Sequence, residues 1–221
     1  MHSYTTGLVV LFKKNANSVQ ASGAKAYMRN QFNFFGLKAN LWRQLHNEYA
    51  DRNMPDFREA ELIIKELWSL PERELQLAAI ELLGKYKKQW TKKVIKLIEY
   101  LITHKSWWDT VDHIASVLTG PYFKLFPQQI EPITGKWNHS DNFWLQRSSI
   151  MFQKHYKKTT DTELLGKYIF HLHNSKEFFI QKAIGWALRE YSKTNAQWVR
   201  KFVKQNKLAP LSKREALKRL N

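Results

Sequence analysis

The 221-residue sequence predicts an all-α fold of stacked helical hairpins. Three observations predict it. A motif recurs at a fixed interval, its apolar positions follow the 3.6-residue helical period, and glycine and proline number only 8 and 6. So few turn formers disfavour a β design, and a fixed period of this kind is the signature of a solenoid.

Taken in chain order, residues 1–65 are expected to form N-terminal helices. Their apolar run from Gly7 to Phe12 is too short for a signal-peptide core or a membrane span. Residues 66–207 carry the repeats. LQLAAIELLGKYKK (75–88), LQRSSIMFQKHYKK (145–158) and IQKAIGWALREYSK (180–193) align Gln76, Gln146 and Gln181, and likewise Tyr86, Tyr156 and Tyr191. The spacings are 70 and 35 residues, so a further unit belongs at Val111, where WWDTVDHIASVL stands. A second apolar stretch follows in the units, at Val94, Glu163 and Trp198, giving two helices per unit and a HEAT-like solenoid. Ser69-x-x-Glu72 and Ser212-x-x-Glu215 read as capping boxes. Residues 208–221 read as a C-terminal capping helix, and 1–221 as a single domain.

The chain carries 36 Lys+Arg against 19 Asp+Glu, a formal charge of +17. Such an excess repels itself unless it meets a polyanion, with nucleic acid the first candidate. With no cysteine, disulfides, thiolate zinc sites and cysteine nucleophiles are excluded. No HExxH, GxSxG, P-loop or GxGxxG pattern occurs, and neither metal nor cofactor is expected.

On a helical wheel of about 100° per residue centred on each repeat, one face carries Leu75, Ala79, Leu82, Ile114, Leu118, Phe152, Ile184 and Leu188, which is expected to pack inward. The opposite face, at roughly 60–140°, carries Arg73, Leu77, Glu81, Gly84 and Lys88 in the first unit, Trp108, Asp112, Ser116, Thr119 and Phe123 in the second, Phe143, Arg147, Met151, Lys154 and Lys158 in the third, and Phe178, Lys182, Trp186, Arg189 and Lys193 in the fourth. Cations here suit phosphates, and aromatic faces suit bases, sugars or cations. Asp112 is the informative member, because a carboxylate in a basic stripe repels phosphate. It is either the ion-pair partner of Arg147 or placed to meet positive charge on a ligand. Trp107, Trp42, Trp68, Trp90 and Trp198 read as structural.

SWWDTVD (106–112), SDNFWLQR (140–147), SKEFFIQKAIGWALREY (175–191) and LAPLSKREA (208–216) resemble the AlkD family of DNA alkylation repair glycosylases, over most of the chain from about Tyr27. The resemblance implies a HEAT-like solenoid with a basic concave groove that excises N3- and N7-alkylpurines from duplex DNA without flipping the lesion into a pocket. It places the catalytic group on Trp108, Asp112 and Trp186, and groove arginines on Arg147 and Arg189. Lys154, Lys158, Lys182 and Lys193 are expected to join them on DNA. The chain departs from the family at Gly36-Leu37-Lys38-Ala39-Asn40, where a proline often stands.

The reading is therefore a monofunctional DNA glycosylase, a cytoplasmic monomer whose partner is double-stranded DNA containing alkylated purines. No membrane association is expected. The alternatives are a non-catalytic HEAT-repeat module binding structured or damaged nucleic acid, and a scaffold for an acidic protein.

Overall fold

A computed structural model describes residues 1–220. Those residues are all-helical apart from one isolated bridge, Asn33 to Glu72, and form two compact units, the first spanning 1–91 and the second starting at Lys92. The expected repeat array is thus divided between its first and second copies.

In the first unit, α1 (Ser3–Lys14) buries Tyr4, Leu8 and Phe12, and α3 (Ala39–Asn53) buries Trp42, His46 and Ala50. Both sets recur every fourth residue, which keeps them on one helical face. Between them, α2 (Ser18–Tyr27) is capped by Asn17 and buries nothing. The amphipathic α4 (Phe57–Ser69) is capped by Asp56 and packs against α5 (Arg73–Lys85).

The second unit runs through α6 (Val94–Thr103), α7 (Trp108–Ile114), α8 (Gly120–Leu125), α9 (Ile130–Asn138), α10 (Phe143–Met151), α11 (Thr162–Leu172), α12 (Phe178–Ser192), α13 (Ala196–Gln205) and α14 (Pro210–Leu217). A π-helical turn, Ala115–Thr119, joins α7 to α8. Helix α10 packs against both α7 and α12, and its Ile150 and Met151 enter the core formed by Ile180, Ala183, Ile184 and Leu188.

The repeat is visible in the element boundaries. Helices α5, α7, α10 and α12 begin at Arg73, Trp108, Phe143 and Phe178, one every 35 residues. The recurring glutamine has a physical role. Gln76, Gln146 and Gln181 each donate their side-chain amide to a carbonyl six residues back, on Leu70, Ser140 and Ser175. Each thereby satisfies an acceptor in the turn leading into its helix. The tyrosines brace preceding elements, with Tyr86 donating to Pro55 O at 2.6 Å and Tyr156 to Gly120 O at 2.8 Å.

Neither expected capping box forms. Ser69 closes α4 and bonds back to Glu66 O, while Glu72 precedes α5 without a side-chain cap. Ser212 and Glu215 both lie inside α14, which Pro210 starts, and their side chains turn to α12 instead. Proline at the first helical position needs no N–H partner, so it can set a start that the sequence assigned to serine.

The 36–40 turn is built on Gly36, whose φ of +82° suits glycine. A Cβ there would lie 2.1 Å from Asn17 O. The turn aims three successive amides, of Phe35, Gly36 and Leu37, at the Glu74 carboxylate at 2.9–3.1 Å. Glu74 is 2% exposed. Burial raises its carboxyl above the usual range, against the pull of those N–H donors.

Candidate nucleic-acid interface

All nine singled-out site residues lie in the second unit. Asp112 projects from α7 one turn after Trp108, three residues before the π turn begins at Ala115. Such turns insert where an ordinary helix would misplace a side chain, and they recur at functional sites.

Asp112 and Arg147 form a two-pronged ion pair. Arg147 Nε donates to Oδ1 and Nη2 to Oδ2, each at 2.8 Å. The remaining guanidinium nitrogen, Nη1, donates to the carbonyl of Phe179 in the first turn of α12. Arg147 has no exposed surface, whereas the Asp112 side chain retains 14%. The first of the two roles open to Asp112 is therefore realised, and its side chain is still partly exposed. Arg147, expected on DNA, is here wholly committed to internal acceptors. The reason is the backbone of α12, which covers a helix face that the wheel treats as open.

Trp186 lies beyond this pair. Three cations approach its ring, Lys182 Nζ at 4.9 Å, Arg147 Cζ at 5.3 Å and Arg189 Cζ at 5.8 Å. These distances permit cation–π attraction. The indole N–H donates to Glu215 of α14 at 3.1 Å, and the same carboxylate accepts from Lys182 and Arg189. Those donors, led by Lys182, hold the Glu215 carboxyl below the usual range.

The structure thus links Asp112, Arg147, Lys182, Trp186 and Arg189 in one network, with Trp108 a turn away on α7. Lys154 and Lys193 lie apart from it, lining a cavity of about 260 Å³ with Gln153, Lys157, Glu190 and Tyr191. Lys193 is paired there with Glu190. Lys158 is exposed in a short 3-10 segment, Lys157–Thr159. Beside the cavity residues, His155 meets Ser116 at 3.2 Å, and burial, followed by Lys154, lowers its pKa.

Five side chains assigned to the open face are buried. Besides Arg147 these are Arg73, Thr119, Phe123 and Met151, and Thr119 turns back to Ala115 O within the π turn. Arg73 is covered by Phe32, whose ring lies 3.8 Å from its guanidinium, in the loop after α2. Phe123 packs on Trp137 and Phe152. The π turn accounts for Phe123, since a wider turn rotates every later residue off the wheel's constant angle. Met151 joins the core against α12. The five tryptophans read as structural are placed so. Trp42, Trp68 and Trp90 are buried, Trp107 packs on Trp144 and Phe179, and Trp198 stacks on Phe202.

Sequence reasoning missed Glu215, having assigned its carboxylate to a cap. A lone acid between Arg214 and Lys218 was the available signal.

No group of three or more metal-binding side chains converges among the described residues, and no described helix is long and apolar enough to cross a membrane. No curated protein matches the chain. A solved structure described as a predicted DNA alkylation repair enzyme from Enterococcus faecalis is 33% identical, with a TM-score of 0.86, covering 93% of this chain and 96% of that one. The family model described as DNA alkylation repair enzyme matches residues 10–220. A match over nearly the whole length, on a fold shared with that relative, means that the chain belongs to the DNA alkylation repair enzyme family.

Proposed function

We propose that the protein hydrolyses the N-glycosidic bond of cationic N3- and N7-alkylpurines in duplex DNA, leaving an abasic site. The observation that carries this reading is Asp112, a partly exposed carboxylate fixed by a buried arginine within a cationic, tryptophan-bearing face. A surface made only to hold DNA gains nothing from that acid.

N-alkylation makes the purine cationic and a good leaving group, so no strong general acid is needed. As the C1′–N bond breaks, positive charge moves to the deoxyribose. In this reading Asp112 stabilises that charge and orients or deprotonates the attacking water. Arg147 acts through Asp112, since its two parallel hydrogen bonds set the carboxylate plane. Trp108 and Trp186 offer ring faces to the sugar and the cationic base, worth roughly 0.5–2 kcal/mol each. Lys154, Lys158, Lys182, Arg189 and Lys193 supply charge for flanking phosphates. No lysine is identified as a Schiff-base nucleophile, which favours hydrolysis without strand cleavage.

The test is release of modified base from methylated duplex DNA by the wild type and by Asp112→Asn. Trp186→Ala should slow release less than Asp112→Asn does. A wild type that releases no base from any methylated duplex would promote the non-catalytic nucleic-acid-binding alternative.

A further inference from the structure

Glu215 stands outside the repeat register, yet it meets three residues of the site. Its carboxylate, 10% exposed, accepts from Lys182 Nζ at 2.9 Å, Trp186 Nε1 at 3.1 Å and Arg189 Nη1 at 2.8 Å. The donors occupy positions i, i+4 and i+7 of α12, a single stripe. One acid from α14 therefore serves three side chains at once.

The close approach depends on Gly185. A Cβ at that position would lie 2.4 Å from Glu215 Cβ and 2.9 Å from Ser212 O. Ser212 fixes the same crossing by donating to Gln181 O at 2.9 Å. Helix α14 is thus seated by backbone proximity, and its carboxylate is aimed by that seat.

Two consequences follow. A hydrogen-bonded indole N–H cannot flip about its ring torsion without losing its acceptor. Three cations around one ring also repel each other, and a shared carboxylate offsets this. We propose that Glu215 is a positioning residue of the site: it sets the orientation of the Trp186 ring and holds Lys182 and Arg189 beside it. The proposal rests on the reading of Trp186 as a sugar- or base-contacting residue.

The experiment compares wild type, Glu215→Gln and Glu215→Ala, each also in a Trp186→Phe background. Three quantities are measured: single-turnover excision of N7-methylguanine from saturating duplex, affinity for undamaged duplex, and hydrogen exchange of the Trp186 indole N–H. The Trp186→Phe variant assigns that indole signal. Glu215→Ala should slow excision about tenfold, as loss of a charged acceptor predicts. It should leave undamaged-duplex affinity equal or tighter, because a negative charge has gone, and it should speed indole exchange. Glu215→Gln keeps an acceptor and should restore most of the indole protection and part of the rate. In the Trp186→Phe background, Glu215→Ala should slow excision no further. Excision and affinity falling together would mean that α14 is only a structural seat and would overturn the proposal. So would unchanged indole exchange in Glu215→Ala. Were Glu215→Ala not to fold, the near-isosteric Glu215→Gln would decide, with wild-type excision and affinity overturning the proposal. A wild type without excision would remove the glycosylase reading alone. Indole exchange and duplex affinity would still decide whether Glu215 orients Trp186.

Discussion

Glu74 in the first unit and Asp112 in the second are both acids on first helices of the repeat, and they are held by opposite means. Glu74 spends its oxygens on three backbone amides of the Gly36 turn and keeps 2% exposure. Asp112 is held by one side chain, Arg147, which also lies over the Trp186 ring, and it keeps 14% of its side-chain surface exposed. Backbone donors cannot move without moving the fold, so Glu74 is a fastening. A guanidinium fork fixes a carboxylate's plane and leaves lone pairs free, so Asp112 is oriented and still available. Burial and partner type, more than charge, separate an acid that fastens the fold from one that the proposed reaction could use.

The sharpest way to break this comparison is to neutralise Asp112 without changing its shape. Asp112→Asn should slow excision of N3- or N7-methylpurine by roughly 10²-fold or more, the loss expected of a main electrostatic contribution of about 2.7–4 kcal/mol. Affinity for undamaged duplex should hold or rise. A paired fall in affinity and stability would make Asp112 a structural ion-pair member like any other.

Next in size, Glu74→Ala strands three amides of the Gly36 turn. Chemical denaturation should show a loss of about 3 kcal/mol. Excision per folded molecule should be unchanged, and a catalytic defect at full folding would erase the distinction between the two acids.

A comparable effect on the first unit comes from acid. His46 is fully buried, and neither ring nitrogen has a partner among the described residues. Burial pushes its pKa down to about 4. The unfolded chain binds that proton near pH 6.5, so the neutral ring contributes stability above 6.5 that is lost as pH falls towards 4. The loss should reach about 3 kcal/mol. Unfolding of His46→Leu followed from pH 7 to 4 should show a flatter profile, and one parallel to wild type would count against this assignment.

The smallest effect concerns the periphery of the site. Lys154→Ala should weaken binding equally across sequences and flatten the log-affinity against log-salt slope by about one. Arg147→Ala should leave that slope nearly unaltered, because the buried guanidinium faces Asp112 and Phe179 instead of a phosphate. Equal slopes for both variants would show that Arg147 leaves its acceptors when DNA binds.

The sequence by itself determined what is periodic. Starts at Arg73, Trp108, Phe143 and Phe178 follow the expected 35-residue register, and Asp112, Arg147, Lys182, Trp186 and Arg189 shared a wheel face before the structure joined them. Local helical geometry repeats, so residue spacing carries that information. Tertiary structure alone decided what covers each face. The π turn at Ala115–Thr119 rotated Phe123 inward, the carbonyl of Phe179 closed over Arg147, and the Gly36 turn closed on Glu74. Glu215 reached Trp186 from 29 residues away because Gly185 lets two backbones meet. A wheel assumes a constant turn and an empty surround, and these contacts arise where one of those assumptions fails.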